Sequence, residues 1–340
     1  MNILFDIGHP AHVHLFRNFI QYLKSEGHSV TIVSRDKDIT TQLLSHYNIP
    51  ALNLSKPRKK KLGMMIELLI RDYKILKLNK TKKFDVAFGT SASIGHLTLL
   101  KKVSSYNFNE DDDETVPLFV QAAYPFNSGI VLPSILKRSR FAKKRIYHES
   151  WHELAYLHPD NFLPEISVLE KYSLEPRKYI IIRKSALNAH HDTNAKGLSQ
   201  NVWERILELC GDFTIISTFE GKKRHKIAPW DMHHILSYAR LLITDGLSMS
   251  IEASVLGVPS IRLNSFEGRS SVLREVDSYG LSVGINVEEE ESENRFYNAV
   301  RKELEIENPD EIYTEKRGNL LREKIDMNKW MINWFEETIR

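Results

Sequence analysis

Residues 241–264, LLITDGLSMSIEASVLGVPSIRLN, admit few folds. Leu241–Thr244 is an apolar run of strand length, and the turn dipeptide Asp245-Gly246 ends it. Ser248 is placed to cap a helix, Gly257 and Pro259 stop that helix, and Val258–Leu263 resumes a buried strand. Strand, tight loop, short helix and strand predict a parallel sheet with a helix opening at the end of a strand. There, unpaired backbone N–H groups and the helix dipole favour an anion. Met249 lies in the same first turn. Glu252 falls four residues beyond Ser248, on the same side, and can accept hydrogen bonds from hydroxyls attached to that anion. A nucleotide sugar carries both groups. An ordinary β-α-β unit with a polar helix start fits the spacing equally, so the rest of the chain must decide.

At 340 residues and 42% hydrophobic content, the chain is long enough for two α/β domains. Its single cysteine, Cys210, rules out an internal disulfide and fits a reducing compartment. Met1-Asn2 runs straight into an apolar strand with no basic leader, and no window approaches the roughly 20 apolar residues of a membrane span. The expectation is a soluble, cytoplasmic protein. Net charge is +3 but uneven: residues 1–165 hold 23 Lys+Arg against 16 Asp+Glu, and the remainder 24 against 28. A basic first half points to an anionic partner there.

From the start, strand Ile3–Ile7 leads into GHPAHVHLF, and the helical spacing of Leu15, Phe16, Phe19, Ile20 and Leu23 ends at Gly27. Ser29–Ser34 reads as a strand, Lys37–Tyr47 as a helix and Pro50–Leu54 as a third strand, a rhythm that predicts a parallel sheet with right-handed crossovers. The first strand-to-helix junction therefore lies at the carboxyl edge of a sheet, where open α/β folds bind ligands. It carries His9, His12 and His14. Imidazole is a natural general base near neutral pH, and no nearby carboxylate or thiolate completes a metal set with these three. Thr90–Ser93 opens a later helix as a second hydroxyl-rich anion or acceptor site. Asn107–Glu114 reads as a solvated loop, Pro117–Gln121 as a strand, and Arg145–Glu149 as the last strand of this half. Glu149 is the acid/base carboxylate candidate, with a structural ion pair as its alternative.

Residues 56–83 combine a helical stripe (Met64, Met65, Leu68, Leu69, Tyr73, Leu76) with many cations. Such a helix can lie in an anionic membrane surface through Lys56, Arg58, Lys59, Lys60 and Lys61, or pack on its own sheet with a solvated cationic face. Arg138, Lys143 and Lys144 form a second basic cluster. No aromatic interleaving suggests nucleic acid, and none is expected as a partner. Prolines at 159, 164 and 176 mark a linker, and Tyr179–Arg183 begins a second sheet. The polar loop after it offers Arg183, Ser185 and His191 to a diphosphate. His233 and His234 read as structural, and a long helix over 311–338 carries Trp330 and Trp334.

Four segments, FDIGHPAHVHLFRNFI, RKSALNAHHD, APWDMHHIL and LLITDGLSMSIEASVLGVPSI, occur in an order that resembles the DUF354 family, itself similar to GT-B glycosyltransferases and non-hydrolysing UDP-N-acetylglucosamine 2-epimerases. The resemblance implies a GT-B-like α/β fold: two Rossmann-type parallel-sheet domains facing each other across a cleft. Residues 1–160 form the acceptor-side domain, 161–310 the nucleotide-sugar domain, and 311–340 a helix crossing back to the first. It also implies that the loop at Asp245, Gly246, Ser248 and Met249 holds phosphate and that Glu252 holds ribose. The histidine loop resembles that of the lipid-II-forming N-acetylglucosaminyltransferase, with GHPAHVH standing in place of a glycine-rich GGH form.

Three functions follow. The first is a metal-independent glycosyltransferase of surface polysaccharide biosynthesis, moving a sugar from a UDP-type donor to a glycan or lipid-linked acceptor. One of His9, His12 and His14 would be its base, with no cofactor beyond the donor. The second is a nucleotide-sugar 2-epimerase, and the third a non-catalytic sugar-nucleotide-binding protein.

Overall fold

A computed structural model describes the chain apart from residues 38, 59–60, 102, 137–139, 186–196 and 220–226, and apart from the side chains of 61 and 219. The chain forms two compact units, Met1–Tyr156 with Asp326–Arg340, and Leu157–Ile325. In the first, strands β1 (Asn2–Ile7), β2 (Ser29–Arg35), β3 (Leu52–Ser55), β4 (Val86–Gly89), β5 (Ser104–Phe108), β6 (Gly129–Pro133) and β7 (Arg145–His148) pair in parallel in the order β3-β2-β1-β4-β5-β6-β7. The helices between them are α1 (Pro10–Ser25), α2 (Thr40–His46), α3 (Lys61–Lys82), α4 (Ala92–Lys101) and α5 (Pro117–Ala123). The order reverses between β1 and β4, so the loops after these two strands share the switch point at which open α/β sheets take ligands.

Two short helices, α6 (Leu154–Leu157) and α7 (Ser167–Glu170), lead to the second sheet. Its strands are β8 (Tyr179–Lys184), β9 (Thr214–Phe219), β10 (Leu241–Thr244), β11 (Ser260–Asn264) and β12 (Ser282–Asn286), parallel in the order β12-β11-β10-β8-β9. This reversal falls between β8 and β10. The unit's helices are α8 (Gln200–Leu209), α9 (Met232–Ser237), α10 (Ser248–Leu256), α11 (Ser271–Ser278), α12 (Ser292–Leu304) and α13 (Pro309–Glu323). A final helix, α14 (Met327–Thr338), belongs to the first unit. The single helix expected over 311–338 is thus two, broken where Asp326 turns extended and caps α14 through the backbone N–H groups of Asn328 and Lys329.

Local chemistry explains the elements that carry function. At the start of α1, Pro10 sits in the first turn, where its missing N–H costs nothing, and the Nδ1 of His9 accepts from the Ala11 N–H at 3.2 Å. Gly257 ends α10 at φ +76°, a left-handed turn that suits glycine. Gly89 closes β4 because a Cβ there would sit 2.8 Å from the Asp6 carbonyl oxygen. The core around β1 is aromatic: Phe5 packs edge-on against Phe16 and Phe19, and Phe335 of α14 against Phe19.

Helix α3 reverses the expected pattern. Its inner side buries Glu67, Arg71 and Ile75. Glu67 accepts from Arg35 Nε at 2.7 Å, from the Ser55 hydroxyl at 2.8 Å and from the Arg58 N–H at 3.0 Å, while Arg71 donates to Asp6, to the Ser34 carbonyl and to Ser55. These buried charges are paired and hydrogen-bonded, the condition for tolerating them inside. Met65, Leu69 and Tyr73, expected to pack inward if the helix lay on its sheet, point to solvent. No helix among the described residues is long and apolar enough to cross a membrane.

Candidate functional site

At the switch point of the first sheet, the loop after β1 meets the loop after β4. The Nδ1 of His12 lies 2.7 Å from the Thr90 hydroxyl, and the ring of His9 lies 5.7 Å from that of His12. The next residue, Ser91, donates its hydroxyl to Asp6, and its carbonyl accepts from the Asn107 amide at 3.0 Å. Arg71 holds the other oxygen of Asp6. The site loop is therefore tied to β1, β5 and α3 at once. Crowding by protein, reinforced by the Lys37 charge, pulls the His12 imidazole down to about 3, so it is neutral at physiological pH.

The sequence reading of Asn107–Glu114 as a solvated loop is wrong for its first half. Asn107, Asn109 and Asp112 are buried, and Glu110 turns toward the residues that follow β7. One Glu110 oxygen accepts from the His152 N–H at 2.6 Å, and the other lies 3.3 Å from His152 Nδ1. Burial first, and the neighbouring Glu153 carboxylate second, push the Glu110 carboxyl well above its usual range. Burial drives the His152 imidazole well below its own, helped by the nearness of His148 and His12. The pair is therefore a neutral acid, held by the His152 backbone N–H, beside a neutral imidazole. Both side chains keep about one-sixth of their surface open (15% for His152, 16% for Glu110), so a small molecule at the sheet edge can reach them.

Of the other sequence candidates here, Glu149 is exposed, whereas His148, Ser150, Trp151 and Glu153 of the same run HESWHE are buried. The carboxyls near the histidines are thus Glu110 and Glu153, which sequence reasoning passed over. His14 is brought elsewhere: it is buried between Tyr156, stacked at 5.1 Å, and Tyr47, edge-on at 5.8 Å.

The second unit presents its own switch point. Asp245, fully buried, accepts from the Ser185 N–H at 2.6 Å and fastens the loop after β8 to the loop after β10. Its carboxyl is raised by burial, against the opposing effect of these hydrogen bonds. The two loops lie so close that a Cβ on Gly246 would sit 2.7 Å from the Ser185 hydroxyl. Ser248 does not cap α10: Leu247 is the cap residue, with no side-chain hydrogen bond, and Ser248 is the exposed first helical residue. The first-turn N–H groups of α10 therefore receive no side-chain cap from Leu247. Met249 is buried, and Glu252 is held at 3.1 Å by Nε2 of His233 on α9. Arg183, next to last in β8, pairs with Thr244 and is half-buried at the same edge. His191 lies outside the described residues.

Of the membrane candidates, Lys59, Lys60, Arg138 and the Lys61 side chain lie outside the described residues. Lys56, Arg58 and Lys143 are exposed, whereas Lys144 donates to the carbonyls of Pro125 and Asn127 and is engaged in holding a turn.

No protein-family model matches the chain, and no curated protein is similar to it in sequence. Solved structures do resemble it. Staphylococcus aureus MnaA with UDP aligns over 98% of this chain and 96% of its own, with a TM-score of 0.71 and 12% identity. The Neisseria meningitidis UDP-GlcNAc 2-epimerase bound to UDP-GlcNAc covers 99% and 100%, with a TM-score of 0.66 and 12% identity. The spinosyn rhamnosyltransferase SpnG with spinosyn aglycone covers 99% and 100%, at 0.64 and 12%. The chain has the GT-B-like fold, two Rossmann-like parallel-sheet domains. At these identities the likeness shows the fold and leaves the reaction to the residues.

Proposed function

We propose that this chain is an enzyme acting on a nucleotide sugar, and that its reaction is metal-independent glycosyl transfer from a UDP-type donor to a glycan or lipid-linked acceptor. One observation carries the reading: a neutral His12 on Thr90 shares a sheet edge with the neutral acid Glu110 on His152. A neutral imidazole with an available lone pair beside a carboxyl that keeps its proton places a base and an acid at one open edge, the pair that sugar chemistry draws on. With Nδ1–H donated to Thr90, the Nε2 lone pair of His12 is directed to take the proton of an acceptor hydroxyl. The acceptor oxygen bonds to the sugar carbon as the bond from that carbon to the diphosphate breaks. The second unit supplies the anion side: first-turn N–H groups of α10, Gly246 and Arg183 for the diphosphate, and Glu252 for the ribose hydroxyls. The neighbours whose names include UDP or UDP-GlcNAc support a sugar-nucleotide ligand. Surface polysaccharide assembly is the setting we assign.

A second reading, 2-epimerisation of the donor sugar, is favoured by the presence of two carboxyls, Glu110 and Glu153, beside the histidines. Removing a proton from carbon and returning it on the other face needs a base and an acid together. A thermal-shift panel of UDP, GDP, CDP and dTDP, then of their sugar conjugates, tests the ligand class, because a ligand that binds the native state raises its melting point. The stabilising conjugate is next incubated alone and followed by proton NMR. Turnover that releases the nucleoside diphosphate only when an acceptor is added supports transfer, and a 2-epimer formed without acceptor assigns the epimerase. A flat panel at saturating ligand refutes both readings.

A further inference from the structure

The outward side of α3 is apolar, although its inward side is charged. Leu62, Met65, Leu69 and Tyr73 are 64%, 55%, 62% and 67% exposed, a row that follows the helix axis for about 16 Å. The row continues onto the next two helices. His96 of α4 bonds Asp72 of α3 at 2.7 Å and the Ala122 carbonyl of α5 at 3.1 Å, tying the three helices together side by side. One helical turn from each of these anchors stands an exposed leucine: Leu69 on α3, Leu99 and Leu100 on α4, and Leu118 on α5. A contiguous apolar face of this kind marks an interaction site.

Charge selects the occupant. Residues 56–83 contain eleven lysines and arginines against two carboxylates, and both carboxylates are engaged, Glu67 in the buried network and Asp72 with His96. Lys56 stands exposed at one end of the apolar row, and Lys77 and Lys80 at the other. A second copy of the chain would bring two such cationic borders together, which repels. An anionic bilayer accepts both features at once, apolar side chains among acyl chains and lysines among head groups.

We propose that the face formed by α3, α4 and α5 docks onto an anionic lipid surface, with Leu62, Met65, Leu69, Tyr73, Leu99 and Leu118 as its inserting side chains. This stands independently of the reaction assigned above. The inner side of the same helix carries Arg71, which reaches Asp6 and through it Ser91, so docking fixes the orientation of the sheet edge toward the lipid. The test is flotation of the full chain with vesicles of phosphatidylcholine alone or mixed with phosphatidylglycerol. The wild type is expected to float with the anionic vesicles and to detach progressively as salt rises. Leu69→Glu and Tyr73→Glu, both at exposed positions, are expected to weaken binding about tenfold or more, since each exchanges an inserting group for a charge. Leu163→Glu, at a 76% exposed leucine of the other unit, should bind as the wild type does. Wild-type protein that stays with the unbound fraction, or Leu69→Glu binding unchanged, overturns the proposal. So does a dimer in sedimentation velocity that Leu69→Glu dissociates while no vesicle binds, since the occupant would then be a second copy.

Discussion

Replacing Glu110 by Gln separates a buried neutral acid from a buried carboxylate. The amide keeps the carbonyl oxygen that accepts from the His152 N–H at 2.6 Å, and it keeps a donor facing Nδ1 at 3.3 Å. At about pH 5, the exchange is close to isosteric and should change stability by no more than about 0.5 kcal/mol. The difference lies in pH dependence. The folded carboxyl is held well above 4.5 while the unfolded one titrates normally. As pH rises past 4.5, the unfolded chain loses this proton and the folded chain keeps it. The unfolded state then binds one proton fewer, and wild-type stability falls by up to about 1.4 kcal/mol per pH unit until the folded carboxyl ionises. Glu110→Gln has no proton to lose, so its stability relative to wild type should climb with that slope. His152 and His12 act in the opposite sense in both proteins, because imidazoles held neutral in the fold cost stability as pH falls below 6.5. Their contribution largely cancels in the difference. Urea unfolding of both proteins from about pH 5 to 8 measures it directly. A difference that stays flat across this range, or that shrinks as pH rises, would refute a protonated Glu110 and with it the proton-holding cluster.

Two further perturbations address the second unit. Glu252→Ala should weaken binding of the stabilising nucleotide by roughly 1–3 kcal/mol, as loss of hydrogen bonds to a charged group does, and calorimetry on the folded variant reads it. Gly246→Ala places a methyl 2.7 Å from the Ser185 hydroxyl and should lower stability by about 1–3 kcal/mol. Adding Ser185→Ala removes the clashing oxygen and should recover at least half of that loss in thermal melts; no recovery would show that the strain lies elsewhere.

The repeating strand-helix rhythm made much of both sheets legible, because most buried parallel strands read as short apolar runs; β5 (SSYNF) and β12 (SVGIN) are not such runs and carry no such signal. Helix α5 escaped because PLFVQ is apolar and short enough for a strand; Pro117 in its first turn is the feature that settles it as helix. Strand β6, Gly129–Pro133, went unread for the same reason, displaced by that assignment. At the site, His9 and His12 were visible from their place after the first strand. Glu110 was not, because its importance comes from contacts to His152 and Glu153, more than 40 residues away, within an acidic run that looks solvated. Helix α3 misled most. Hydrophobic periodicity identifies the helix but says only that its two sides differ, and here ion pairs to Arg35 and Asp6 and a hydrogen bond from Ser55 decide which side is buried.

The return of the chain to its first unit at Asp326 governs the order in which the molecule can mature on the ribosome. Phe335 and Trp334 close the aromatic core against Phe19 and Phe88, so the first 156 residues emerge early yet wait for the last fifteen before that core is sealed. The second unit, continuous from Leu157 to Ile325, holds all its parts before the first does. Synthesis and completion thus run in opposite directions: the half begun last is finished first. A nascent chain stalled or cleaved near its end would expose the Phe19–Phe88 surface of its oldest portion and spare the newer one.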